Sequence, residues 1–254
     1  MPERMEDWIA VAEVANAYYL AMFEGQGDEL RQLFDPRAPV VGVANGNFLS
    51  MSLDTFVERS EASIGQHGKA EGRIESLSII GDTAQVTVGG RYRKLWFTDQ
   101  LAMVRGEDGW VIQTKIFFAD GEASERRGGQ GQTGSSGEDA AVIQAGNAYY
   151  RTMVEGDEEG LRALFASDAP IVGTVDGEFI WDSLDAFVVE AKDSVGKHGE
   201  IEGRIDALQV IGDTALVTVG GRYLEMWFTD QLAMVRGDDG WRIHGKTFHA
   251  VSTT

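Results

Sequence analysis

The chain repeats itself, and that constrains its fold more than anything else in it. Asn16-Ala-Tyr-Tyr19 recurs as Asn147-Ala-Tyr-Tyr150 and Gly81-Asp-Thr-Ala84 as Gly212-Asp-Thr-Ala215. FTDQLAMVRG at 97–106 recurs unchanged at 228–237, and all three share one offset of 131 (147 minus 16). From residue 16 to 119 the register needs no gap. A solenoid unit has a period of roughly 20–50 residues, so each copy here is a domain with its own core. The expected division is 1–120, a linker at 121–137, and 138–254.

The linker reading rests on GEASERRGGQGQTGSSG, which is polar, glycine-rich and without apolar periodicity. It contains a formal G-x-G-x-x-G at Gly129, Gly131 and Gly134. A dinucleotide fingerprint must follow a buried strand and open a helix, and this one follows a charged loop-like stretch.

Within the first copy, Trp8, Val11, Ala12, Ala15, Tyr18, Tyr19 and Met22 are spaced as one face of a helix. A short helix is expected over 28–34, then two short strands, then a helix capped by Ser52. Four longer runs read as strands: GRIESLSII, TAQVTVGGRY, LWFTDQLAMVRG and GWVIQTKIFF. Helices followed by an antiparallel meander make an α+β domain, with the sheet burying one face against the helices.

A net charge of −19 repels phosphate backbones and anionic membranes, so neither nucleic acid nor a membrane surface is an expected partner. Without cysteine there is no disulfide, thiolate nucleophile or Cys-ligated zinc. No HExxH or histidine cluster points to a metal, and the expected cofactor is none. The N-terminal stretch lacks the basic and apolar regions of a signal peptide, and no apolar run reaches the ~20 residues of a membrane span. The chain reads as cytoplasmic.

The helix containing Ala17-Tyr18-Tyr19, the Gly81-Asp-Thr-Ala84 turn, the Phe97-Thr-Asp99 strand and the Trp110-Val-Ile112 strand with Lys115 form a recognisable set. Ala148 to Tyr150, Gly212 to Ala215, Phe228 to Asp230, and Trp241 to Ile243 with Lys246 repeat it. Both copies resemble the lumazine-binding-like branch of the NTF2-like, or SnoaL-like, superfamily. The resemblance implies two cone-shaped domains, each a curved sheet around helices with a pocket between them. It also implies that the copies pair through the outer faces of their sheets, as a homodimer fused into one chain. Relatives include isomerases, dehydratases, cyclases and cofactor-free lyases, besides proteins that only bind ligands.

Strand parity adds a view of the pocket. With a turn at Gly106-Glu-Asp-Gly109 and no bulge, one face carries Phe97, Asp99, Leu101, Met103, Trp110, Ile112, Ile116 and Phe118. The opposite face, carrying Gln113, Lys115 and Phe117, then suits the contact between copies. Asp99 and Asp230 point among apolar groups, where a carboxylate needs a partner or a raised pKa; the same placement serves acid–base chemistry or an internal brace. His249 replaces Phe118 on that face, diagonal to Asp230, and the pair is the candidate catalytic dyad, with Asp99 its counterpart in the first copy. Candidate substrate-binding residues are Tyr223, Trp227, Arg204, Glu202, Tyr149, Tyr150 and His198. Their counterparts are Tyr92, Trp96, Arg73, Tyr18, Tyr19 and His67. The bland readings are core tyrosines, turn histidines and a rim ion pair.

The expected function is cofactor-independent proton transfer on a small aromatic or cyclic molecule by a lyase, isomerase or dehydratase. The alternative is a non-catalytic binder of an aromatic or pterin-like ligand.

Overall fold

A computed structural model describes residues 5–122 and 136–253. The chain divides into two units at Gln132/Thr133. Most of the expected linker, with Gly129, Gly131 and Gly134, lies outside the described residues. Of its ends, Gly121 and Glu122 close a strand, and Ser136 opens a helix.

The first unit contains α1 (Met5–Glu24), α2 (Gly27–Leu33), β1 (Val40–Ala44), β2 (Asn47–Met51), α3 (Leu53–Glu61), β3 (Gly72–Ile80), β4 (Thr83–Tyr92), β5 (Leu95–Gly106) and β6 (Gly109–Glu122). The second repeats that order as α4 (Ser136–Glu155), α5 (Glu158–Leu164), β7 (Ile171–Val175), β8 (Glu178–Asp182), α6 (Leu184–Asp193), β9 (Gly203–Ile211), β10 (Thr214–Tyr223), β11 (Met226–Gly237) and β12 (Gly240–Ser252). Val11, Ala15, Tyr18 and Met22 form the buried stripe of α1. The Ser52 hydroxyl accepts the Thr55 N–H at 3.2 Å and starts α3; Ser183 does the same for α6.

Each sheet has six strands, ordered β2-β1-β6-β5-β4-β3 and β8-β7-β12-β11-β10-β9. The meander is antiparallel, but β1 joins β6 in parallel, a pairing absent from the sequence reading. Gly42 permits it: a Cβ there would sit 2.0 Å from the Phe117 carbonyl oxygen, and Gly173 meets Phe248 at the same 2.0 Å.

Two bulges that both sheets share overturn the simple parity. Met103 faces Ile112, but Ala102 faces Thr114 and Leu101 faces Lys115, leaving Gln113 as the extra residue. His244 is the extra residue between Ile243 and Gly245 in the second copy. Beyond the bulge every side chain of the strand changes face. Lys115 and Phe117 therefore turn inward, while Ile116 and Phe118 turn outward. A second bulge leaves Glu75 unpaired between Ile74 and Ser76, and Asp206 takes that place in the other copy.

Candidate active site

The inward turn of β6 brings together three side chains from two elements of the sheet and one helix. Lys115 Nζ donates to Asp99 Oδ1 at 2.7 Å, and the Tyr18 hydroxyl of α1 donates to Asp99 Oδ2 at 2.6 Å. The lysine and aspartate side chains are each 3% exposed. The ammonium also lies 4.3 Å from the Phe117 ring centroid and 5.4 Å from that of Phe56, where the ring faces are attractive to a cation.

Burial lowers the Lys115 pKa, and the charge and hydrogen bond of Asp99 pull it back only in part. Burial, followed by the charge of Asp99, pushes the Tyr18 hydroxyl well above its ordinary range. Tyr18 therefore stays a donor, and Lys115 is the member of the group whose proton burial loosens.

The second copy repeats the set with a looser joint. Tyr149 donates to Asp230 Oδ2 at 2.6 Å, while Lys246 Nζ stands 3.2 Å from Asp230 Oδ1. At that distance the two are an ion pair, but the geometry falls short of a hydrogen bond.

The expected Asp230–His249 dyad is not formed. The His244 bulge puts Phe248 opposite Asp230 on β11, where the unbulged register has Thr247, and turns His249 from the diagonal position to the other face. His249 faces outward with Nδ1 3.0 Å from the Thr174 hydroxyl. Lys115 and Lys246, expected on the outer face, occupy the place the histidine was to fill.

Other expected site residues also move. The Glu75 and Asp206 bulges turn Arg73 and Arg204 outward, where each guanidinium lies 4.8 Å over the ring of Trp96 or Trp227. Those tryptophans are opposite Arg91 and Arg222, on the outer face, and do not wall the pocket. Tyr19 and Tyr150 lie on paired glycines: a Cβ at Gly72 or Gly90 would come 2.3 Å from the Tyr19 ring. The Tyr19 hydroxyl accepts the Glu71 N–H and donates to the Arg91 carbonyl, and Tyr150 bridges Glu202 and Arg222 in the same way. Glu202 thus enters through its backbone.

Four other expected residues form two histidine–tyrosine pairs. His67 Nδ1 accepts the Arg93 N–H at 2.9 Å, and its ring stacks on Tyr92 at 4.3 Å. His198 receives the Leu224 N–H at 3.2 Å and stacks on Tyr223 at 4.5 Å. Burial depresses both histidine pKa values, so both rings are neutral acceptors at neutral pH. Burial also pushes the Tyr223 hydroxyl up to about 12.

A cavity of about 580 Å³ opens in the first copy, within the usual range for small-molecule sites. Met22, Leu49, Met51, Phe56, Phe97 and Phe117 supply apolar wall, and Lys115 is the member of the buried trio that lines it. The sequence reading missed Lys115 because both parities of IFF are apolar, which hides where the alternation shifts. Among the described residues no group of three or more acidic or histidine side chains converges as a metal site. Nor is any described helix long and apolar enough to cross a membrane.

The family described as "Putative lumazine-binding" matches twice, at residues 6–118 and 137–249. The chain belongs to this lumazine-binding family. Each half is an α+β domain of three helices and one six-stranded sheet, and the two stand in tandem along the chain. One relative, named aldolase FrzH from Cladobotryum sp, is 32% identical over 118 residues, covering 46% of this chain and 94% of that protein. Among solved structures, an NTF2-like protein of unknown function from Silicibacter pomeroyi is 27% identical, with a TM-score of 0.43, covering 45% of this chain and 97% of its own. Another from Shewanella baltica is 17% identical, with a TM-score of 0.45, covering 48% and 100%.

Proposed function

We propose that the first copy is a cofactor-independent lyase or isomerase that moves a proton beside a carbonyl group of a small, largely apolar molecule. The observation that carries this reading is a buried lysine of lowered pKa, hydrogen-bonded to Asp99, at the wall of a cavity lined by phenylalanine and methionine. Burial makes this lysine easier to deprotonate than a free one, and general acid–base catalysis draws on a lysine shifted in that direction.

For cleavage of a β-hydroxyketone the steps balance as follows. The Lys115 amine takes the hydroxyl proton while the C–C bond breaks, which leaves an aldehyde and an enolate. The ammonium then returns that proton to the enolate carbon, and Asp99 balances its charge meanwhile. For isomerisation the Lys115 amine would instead take a proton from the carbon beside the carbonyl, leaving an enolate, and the ammonium would return it to a different carbon. The aldolase name of the relative supports the lyase arm, since aldol chemistry is proton transfer beside a carbonyl. Lys115 is the catalytic residue in this reading, and Asp99 and Tyr18 position it.

The same trio in the second copy favours a competing reading, an internal brace beside a pocket that only binds. The two separate by incubation with 4-hydroxy-4-phenylbutan-2-one in D2O, followed by NMR for benzaldehyde and for deuterium entering acetone. Turnover should fall at least about 100-fold in Lys115→Met and persist in Lys246→Met. Binding without cleavage or exchange in the unaltered protein would support the binder, and full activity in Lys115→Met would end the proposal.

A further inference from the structure

The wall of the first-copy cavity carries Arg59, Arg93, Lys94 and Lys115 and no carboxylate, in a chain whose net charge is −19. Lys115 is already paired with Asp99. Arg59, Arg93 and Lys94 are exposed at the mouth, and among the described residues none of the three forms an ion pair. Arg93 is nonetheless held in place. It occupies the β4–β5 turn with φ 55°, its N–H bound to His67 and its Nε 3.0 Å from the Ser63 hydroxyl.

The duplicated domain supplies an internal comparison. At the offset of 131 (190 minus 59), Arg59 becomes Glu190, Arg93 becomes Leu224 and Lys94 becomes Glu225. Three cations give way to two carboxylates and a leucine, and Leu224 packs partly buried against the second core. Met51, also on the cavity wall, becomes Asp182; Gln66 to Lys197 is the one change in the opposite sense. The backbone turn is kept, since Leu224 has φ 56°. The fold therefore does not require the cations.

We infer that the first-copy cavity selects a ligand with an apolar ring and an anionic group, a carboxylate or a phosphate ester. The ring would occupy the phenylalanine- and methionine-lined interior, and the anion would meet Arg59, Arg93 and Lys94 at the mouth. The second copy disfavours such a ligand. This rests on the reading of the first-copy cavity as a small-molecule site and adds the class of molecule it takes. Guanidinium groups suit carboxylate and phosphate oxygens, and exposed cations at a rim also speed the approach of an anion.

The test is calorimetric titration of the full chain with 2-naphthoate, 2-naphthyl phosphate and the neutral 2-acetylnaphthalene. At least one anion should bind about tenfold more tightly than the neutral ring, since each exposed charge adds only a modest increment. Raising the salt from about 20 mM to about 0.5 M should erase that preference. So should Arg59→Glu/Arg93→Leu/Lys94→Glu, which borrows residues the second copy already accommodates. Arg59→Gln/Lys94→Gln is a milder variant should the triple one fold poorly. The better of the two anions identifies the chemical source. Equal binding of all three rings overturns this inference and leaves the cavity as a ligand site; no binding of any ring removes both.

Discussion

Replacing Lys115 by Met leaves Asp99 buried with Tyr18 as its one side-chain hydrogen-bond partner among the described residues, and replacing Asp99 by Asn strands a buried ammonium. At an effective dielectric of about 20, charges 2.7 Å apart attract by about 6 kcal/mol and charges 3.2 Å apart by about 5 kcal/mol. The desolvation of both groups offsets much of that. Removing one partner of a buried pair generally costs about 3–5 kcal/mol, while removing both costs far less than the sum. The two copies therefore differ chiefly in the aligned Lys115–Asp99 hydrogen bond, since a hydrogen bond to a charged group is worth about 1.5–3 kcal/mol. A double-mutant cycle on Lys115→Met and Asp99→Asn, followed by urea unfolding, should give a coupling of about 3 kcal/mol. The matching cycle on Lys246→Met and Asp230→Asn should give about 1.5 kcal/mol less, the low end of that hydrogen-bond range. Additive single effects in the first copy, or a stronger coupling in the second, would refute the geometry of the site. The Lys115 pKa should also fall further in Asp99→Asn, because Asp99 is what raises it against burial; NMR titration of the lysine reads this directly.

Burial depresses His244 from 6.5 to about 4, so between those values the unfolded chain binds a proton that the folded chain refuses. Its share of stability is full above pH 6.5 and is lost as pH falls towards 4, amounting to about 3 kcal/mol at the acid end. Melting of His244→Gln, which carries the residue of the first copy, should show a flatter acid limb than the parent. Gly42→Ala drives a methyl into the Phe117 carbonyl and should cost about 3 kcal/mol in denaturant titration. An unchanged midpoint would contradict the parallel β1–β6 pairing. His249→Phe, again the residue of the first copy, should leave naphthoate binding and cleavage unaltered, because that ring faces away from Asp230.

The two-domain plan, the α+β class and the run of elements are all legible in the sequence. A long ungapped repeat and strong periodicity are local properties, and each element carries its own record of them in buried stripes such as Val11, Ala15, Tyr18 and Met22. Asp99 and Asp230 also stand out, because a charge inside an apolar strand pattern is visible without knowing its partner. What faces them is not visible. One unpaired residue, Gln113 or His244, decides whether position 115 or 116 points inward, and only pairing with the neighbouring strand reveals a bulge. The same holds for Glu75 and Asp206, which send the arginines to the outer face. Side chains on a strand alternate with a period of two, so a single inserted residue exchanges lysine for histidine at the heart of the site while leaving every element in its place.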